Sequence, residues 1–252
     1  MNILVCVKRV PLTGGKIVLT EDERAIQTRH LGFTISPHEE CGVEEAVRLI
    51  EQHGGTSTVL TLGPPEAEEQ LRDMMAIGID SAIHLLTDGS EWDPQATARA
   101  IVATVQAQSE PYDLILFGNE SADAGNYQVP IRVARALGLP CVTGIKAISV
   151  EDAALRCEQE VAGGRDVYVV PMPAVVSVKE GINLPRYPSV PGRLRAKRKP
   201  LSSVTPDRAQ AQLELVRLKL PAGSGKQVEV LGDGAGAAPA VVDKLTEIGV
   251  LA

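Results

Sequence analysis

The sequence predicts an α/β fold: a doubly wound, mostly parallel sheet carrying a small antiparallel β extension and a C-terminal arm. Three observations predict it. Short continuous apolar runs recur at Asn2–Val7, Thr58–Leu62, Ser81–Leu86 and Leu114–Phe117, the pattern of strands buried on both faces. Segments of helical period fall between and after them. The composition, 44% hydrophobic but only 3% aromatic, calls for a core of Val, Ile, Leu and Ala, as such sheets have.

The strand Asn2–Val7 opens the fold. Ser36 sits where an N-cap belongs and Pro37 suits the first helical position. Val43, Ala46, Val47 and Ile50 then form the apolar stripe of a helix over Glu39–His53. Its carboxylates Glu39, Glu40, Glu44 and Glu45 gather toward the start, where the helix dipole favours negative charge, and Gly54-Gly55 stops it. Thr58–Leu62 is the next strand, followed after Gly63-Pro64 by a helix over Pro65–Ile77 and the strand Ser81–Leu86. Pro94 opens a helix through Gln108, Leu114–Phe117 is again a strand, and Val129–Leu137 is helical, ended by Gly138. This repeated βα order predicts right-handed crossovers in one parallel sheet.

Beyond Pro140 the pattern changes. Thr143–Val150, Leu155–Val161, Asp166–Val170 and Ala174–Val178 are short strands with turns at Glu151-Asp152 and Gly163-Gly164, and antiparallel pairing is expected of them. From Asn183 onward Pro185, Pro188, Pro191, Pro200, Pro206 and Pro221 punctuate a segment without an obvious core face, and Ala240–Ile248 is its one amphipathic stretch. The expected divisions are 1–182, the α/β domain with its extension; 183–199, an exposed loop and basic run; and 200–252, an arm. Arms with apolar faces and little local core need a partner to bury them.

A chain of 252 residues can build a stable core without staples. No apolar run approaches the roughly 20 residues needed to span a bilayer, and the N-terminus enters a strand pattern without a basic leader. A cytoplasmic location is expected, or the mitochondrial matrix in a eukaryotic source. Cys6, Cys41, Cys141 and Cys157 stand far apart with no C-x-x-C, so neither a disulfide framework nor a zinc knuckle is expected. The net charge of −7 argues against nucleic-acid binding, which needs a basic face. His30, His38, His53 and His84 show no H-E-x-x-H or other metal spacing, and no G-x-S-x-G elbow exists. His53 reads as a helix-end residue and His84 as a sheet-edge residue. His38, at a helix start beside a strand end, is the histidine placed to face a ligand.

The strongest candidate site is the loop Gly118-Asn119-Glu120-Ser121-Ala122-Asp123-Ala124-Gly125-Asn126-Tyr127-Gln128-Val129. It leaves the carboxyl end of a buried strand and runs into a helix, the edge where open α/β sheets bind ligands and where free helical N–H groups attract phosphate. Gly118 and Gly125 allow close backbone approach, and Asn126 and Gln128 can donate to phosphate oxygens. From position alone, an ordinary polar βα loop explains these residues equally well.

Two other motifs weigh less. Gly232-Asp233-Gly234-Ala235-Gly236-Ala237, after the strand-like Gln227–Leu231, matches a dinucleotide fingerprint. Only about 15 residues follow it, too few for a βαβ unit of roughly 30, so a hinge before the last helix is expected. The basic run Arg193-Leu194-Arg195-Ala196-Lys197-Arg198-Lys199, beside Tyr187 and Val190, suits docking to an acidic protein surface better than a solvated tail, because it pairs anchors with charge.

Several stretches together resemble the β subunit of electron-transfer flavoproteins. Val5-Cys6-Val7-Lys8-Arg9-Val10-Pro11 is similar to the family's opening strand and turn, and Ser36-Pro37-His38-Glu39-Glu40 to its Asn-Pro-Phe-Asp-Glu motif. Leu62-Gly63-Pro64, Met75-Ala76-Ile77-Gly78 and the 118–129 loop follow in family order. Glu160-Val161-Ala162-Gly163-Gly164, Pro173-Ala174-Val175-Val176, Pro185-Arg186-Tyr187-Pro188 and the closing Lys244-Leu245-Thr246-Glu247-Ile248-Gly249 complete a likeness over nearly the whole chain.

The resemblance implies a heterodimer with an electron-transfer flavoprotein α subunit that holds most of the redox FAD, with residues 200–252 packing on that partner. It implies an adenine nucleotide in this chain, AMP or, as in electron-bifurcating members, a second FAD, held by Cys6, Ser36, Pro37, His38, Glu39, Leu62 and the loop Gly118 to Val129. Tyr187, Val190, Leu194 and Arg195 would dock flavin dehydrogenases such as acyl-CoA dehydrogenases, with a quinone oxidoreductase as a further candidate acceptor. The chain would be an electron carrier with no catalytic acid or base, the redox chemistry belonging to the flavin. Ser36 and His38 replace the family's Asn and Phe, and Thr13 stands where some members place Tyr. Asp123, counted as the loop's one acid where many members carry two or three, leaves room for a diphosphate. The alternatives are a stand-alone, stress-protein-like regulatory module and an adenylating enzyme, although Val10 to Lys16 makes a poor pyrophosphate loop.

Overall fold

In the computed structural model, residues 1–12, 14, 17–221 and 228–251 are described, so Thr13, Lys16 and Gln227 lie outside the described residues. The chain opens with β1 (Asn2–Val7), the two-residue strands β2 (Val10–Pro11) and β3 (Phe33–Thr34), α1 (Pro37–His53) and β4 (Thr56–Gly63). A 3-10 turn at Pro65–Ala67 leads into α2 (Glu68–Ile77), then β5 (Ser81–Leu86), α3 (Pro94–Gln106), β6 (Leu114–Gly118) and α4 (Val129–Leu137). Next come β7 (Cys141–Glu151), β8 (Ala154–Val161), β9 (Gly164–Pro171), β10 (Ala174–Val178), α5 (Val190–Ala196), β11 (Leu201–Val204) and α6 (Ala238–Glu247).

The main sheet has nine strands among the described residues, in the order β11-β5-β4-β1-β6-β10-β7-β8-β9, while β2 and β3 pair separately. Every pairing from β11 through to β7 is parallel. Alternation along β1 splits its side chains between the two faces. Ile3, Val5 and Val7 pack with Val43 and Val47 of α1 and Leu71 and Met75 of α2. Leu4 and Cys6 pack with Ala96 and Ile101 of α3 and Val133 and Ala134 of α4. Helices thus cover both faces, which is the doubly wound arrangement expected.

The helix ends follow their sequence signals. Pro37 occupies the first turn of α1 after Ser36 in extended conformation, and Gly138 ends α4 with a left-handed φ of 70°. Asp93 caps α3 by accepting the N–H of Ala96 at 2.7 Å.

Three expectations are corrected. Ala174–Val178 is not antiparallel: β10 lies between β6 and β7 and runs parallel to both. All five of its residues are buried, the mark of an interior parallel strand, whereas the short gap after β9 suggests a hairpin. Within the main sheet, antiparallel pairing is confined to β7–β8 and β8–β9, and β7 changes partner near Gly144 and Ile145. Val190–Ala196 is a short helix, not an extended loop. Ser189 accepts the N–H of Gly192 at 3.1 Å, and Gly192 and Ala196 are buried. At the end of the basic run that follows this helix, the Lys199 ammonium donates to the carbonyls of Met75, Gly78 and Ile79 at the end of α2. Finally, His84 is not at a sheet edge. It is 2% exposed in β5, which β11 covers, with Nε2 3.2 Å from the Gly63 carbonyl.

The chain divides into two compact units, 1–216 and 217–252. In the second, Gly234–Ala237 forms a 3-10 turn that passes into α6, whose Val241 and Val242 are exposed. No described helix is long and apolar enough to cross a membrane.

Candidate functional site

From β1 the chain passes through α1 to β4 on one side, and from β6 through α4 to β7 on the other. The winding therefore reverses between β1 and β6, and the crevice beyond their carboxyl ends is where such sheets receive ligands. Three chain segments meet there: Lys8 after β1, the start of α1, and the loop after β6.

Glu39 joins the first two. Its carboxyl accepts the backbone N–H of Lys8 at 2.9 Å and that of Ser36 at 3.0 Å. Burial pushes this carboxyl up to about 8, against the pull of those two donors. Ser36 caps α1 in a reciprocal capping box with Glu39, and its hydroxyl donates to the Glu120 carbonyl at 3.1 Å and so ties α1 to the loop. Gly118 is required at this junction, since a Cβ there would lie 2.7 Å from Glu39 Cγ and 2.9 Å from the Glu39 nitrogen.

His38 bridges two loops. Its Nδ1 accepts the Glu180 N–H at 2.8 Å, so in the neutral ring the proton sits on Nε2, which lies 3.3 Å from Glu120 Oε1. Lys8 Nζ stands 2.7 Å from both Asp123 and Glu91. Burial alone would push the Asp123 carboxyl up, but Lys8 and hydrogen bonds from Ser121 and Ala124 outweigh it and hold the group below its usual range. Glu120 is a second acid in this loop, so counting Asp123 alone understates its negative charge. The Tyr127 phenol hydrogen-bonds Glu120, which raises its pKa.

The loop then turns through Gly125 and Tyr127, at φ 54° and 56°, into α4. Left-handed backbone of this kind turns successive N–H groups toward one side. The N-terminus of α4 has no side-chain cap and no acid in its first turn, unlike that of α1, which carries Glu39 and Glu40. Arg132 lies beside it, its guanidinium donating to Gln128 Oε1 at 2.9 Å and to Gln95 Oε1 at 3.3 Å. The Gln128 carbonyl oxygen is thereby engaged, and its amide N–H groups face no partner among the described residues.

Asn119 is fixed more deeply: its N–H donates to the Val178 carbonyl at 2.9 Å and its Oδ1 accepts from Ser177 Oγ at 3.3 Å. Ala122, Ala124 and Asn126 are exposed, and Val129 is half-buried at the start of α4. Cys6 is buried in the floor beneath the crevice, where burial pushes its thiol pKa up, and Leu62 packs into the same cluster. Among the described residues, no group of His, Cys, Asp and Glu side chains could hold a metal ion.

The sequence model of a family described as "Electron transfer flavoprotein domain" matches residues 25–209. An electron transfer flavoprotein subunit beta of Bacillus subtilis (strain 168) is 36% identical over 207 residues, 82% of this chain and 80% of the relative. One from Syntrophomonas wolfei is 32% identical over 231 residues, 91% and 90% of the two chains, and one from Bradyrhizobium diazoefficiens 32% over 237, 91% and 93%. The chain belongs to the electron transfer flavoprotein β-subunit family.

The structure joins Ser36, His38, Glu39, Gly118 and Glu120 directly, and Asp123 through Lys8. Tyr187, Val190, Leu194 and Arg195 form no hydrogen bond to that crevice and occupy an exposed patch, with Tyr187 95% and Val190 73% exposed. Residue-type reasoning missed Lys8 and Arg132. Their signal was present, a cation directly after a buried strand and another in the first turn of the helix that ends the loop.

Proposed function

We propose that this chain is the small subunit of a heterodimeric electron transfer flavoprotein. It binds an adenine nucleotide, AMP or a second FAD, and electrons pass through the complex from flavin dehydrogenases such as acyl-CoA dehydrogenases to an acceptor. The observation that carries the nucleotide reading is the uncapped, acid-free start of α4 at the reversal point, with Arg132 beside it and Lys8 against Asp123 of the preceding loop. A helix start of this kind attracts a phosphate group, whereas the start of α1 is already closed by the Glu39 carboxyl, which accepts the N–H groups of Ser36 and Lys8. Ser36 to Glu39, Leu62 and Cys6 would form the remaining walls and floor.

The redox chemistry is that of a flavin held mainly by the α subunit. The residues of this chain bind, orient and screen: Lys8 balances Asp123, and His38 and Ser36 hold Glu120 in place. Tyr187, Val190, Leu194 and Arg195 supply an exposed apolar and cationic docking surface for the dehydrogenase.

The test is co-expression with an α subunit, followed by extraction and chromatographic identification of every bound nucleotide. One FAD and one AMP per heterodimer mark simple electron transfer, and two FAD mark the bifurcating type. A purified heterodimer that retains flavin in α but no adenine nucleotide assignable to this chain would remove the crevice reading.

A further inference from the structure

We infer that Arg186 is a positioning residue that holds Leu184 and Tyr187 as pre-organised anchors for the electron-donating dehydrogenase. The inference rests on the docking reading above and deepens it.

Arg186 is tied to α1 through two carboxylates. Its backbone N–H donates to Glu44 Oε2 at 3.1 Å, and its guanidinium reaches Glu44 at 2.9 and 3.0 Å and Glu51 at 2.6 and 2.9 Å. Glu44 and Glu51 lie two helical turns apart, and one planar fork spans them, which the single ammonium of a lysine cannot do. The Glu44 side chain is only 6% exposed, so this end of the clamp is shielded from solvent.

Three residues earlier, Asn183 Nδ2 donates to Glu45 Oε2 and to the Cys41 carbonyl, both at 2.9 Å. The segment is therefore fastened at both ends to one side of α1, and Pro185 and Pro188 restrict its backbone further. Yet Leu184 is 90% exposed and Tyr187 95% exposed. A tie serving stability alone would tuck these apolar groups in; here the polar attachments are covered and the apolar side chains are held out. Exposed anchors on a fixed base lose little entropy on association.

The exposed cations Arg195, Lys197 and Arg198, in a chain of net charge −7, specify the partner surface, while Arg193 is paired with Asp73 of α2. It is an apolar pocket ringed by carboxylates, on the dehydrogenase.

The experiment uses the heterodimer with its bound nucleotides, reduced by an acyl-CoA dehydrogenase and its acyl-CoA substrate, with kcat and KM measured for the flavoprotein. Arg186→Lys is expected to raise KM about 10-fold with kcat and nucleotide content unchanged, and Glu51→Gln, which spares the buried pair, about 3-fold. Leu184→Ala/Tyr187→Ala should raise KM as well, and adding Arg186→Lys to that pair should raise it no further. If Arg186→Lys and Glu51→Gln leave KM unchanged while the alanine pair raises it, the positioning role is wrong and the docking surface stands. An undiminished effect of Arg186→Lys in the alanine background would also overturn the positioning role, because Arg186 would then act through its own charge. An unchanged KM in the alanine pair itself would overturn the docking reading.

Discussion

The Glu39 carboxyl accepts the backbone N–H of Lys8 at 2.9 Å, which locks the end of β1 to the start of α1 at the mouth of the crevice. Since burial raises Glu39 to about 8, the folded protein holds this proton more tightly than the unfolded chain, where a glutamate titrates near ~4.3. The stability contributed by the neutral form is fully present below the unfolded value and is lost as pH rises through about 8. Between roughly pH 5 and 8 this group should therefore lower stability by on the order of 3 kcal/mol. Glu39→Gln should flatten that slope, while costing about 1–2 kcal/mol at pH 5 because its amide leaves one of the two N–H groups without an acceptor. Urea midpoints at four pH values decide it; parallel profiles for the two proteins would contradict the expected shift.

Gly118→Ala should be costly for a different reason. The new methyl would meet Glu39 Cγ at 2.7 Å, the Glu39 nitrogen at 2.9 Å and the His38 carbonyl carbon at 3.2 Å, and the last two are backbone atoms. The start of α1 must move away from β6, with a loss of about 1–3 kcal/mol. The variant should also retain less nucleotide after gel filtration. Unchanged thermal stability would show that the junction is looser than its distances imply.

The two cations at the crevice should separate by role. Arg132→Gln removes the charge beside the α4 start and should weaken nucleotide retention by about 10-fold, or ~1.4 kcal/mol. Lys8→Gln leaves Asp123 and Glu91 without their shared counter-ion, so its effect should grow as salt is lowered, where their repulsion is least screened. Equilibrium dialysis with AMP at two ionic strengths measures both. Equal, salt-independent affinities for both variants and the wild type would place the phosphate elsewhere.

Sequence reasoning reached the parts of this fold whose signals are local. Continuous apolar runs identified β1, β4, β5 and β6, and the Ser36-Pro37 start and Gly138 end bounded α1 and α4 because caps act within one turn. β10 and β11 were misjudged or missed because their partners are distant in the chain: Val175 pairs with Ile115 and Cys141, and Leu201 with Ala82. α5 was hidden by Pro191, which signals a breaker in mid-segment but suits a first helical turn. At the crevice, position along the chain identified the loop, but the ion pair of Lys8 with Asp123 and the bridge from Glu180 through His38 to Glu120 join residues more than 80 positions apart. No spacing rule reports such pairs.

Gly192 tests whether the helix α5 matters to docking. A Cβ at this position would come within 2.4 Å of the Ala76 carbonyl oxygen, a backbone atom of α2 that cannot swing aside as the end of a side chain can. The helix must lift from α2, straining the Arg72 bonds to the Ala196 and Lys199 carbonyls and the Lys199 bonds that close the end of α2. A loss of about 2 kcal/mol is expected from this overpacking. Val190 and Leu194 flank Gly192 and are exposed, so they should shift with the helix, raising KM for the dehydrogenase while nucleotide content holds. Arg186 is attached to α1 instead, so its hydrogen-exchange protection should survive the substitution. A variant destabilised as expected but with normal KM would mean that Val190 and Leu194 are not part of the docking surface, and that the contact is made by the segment clamped to α1 alone.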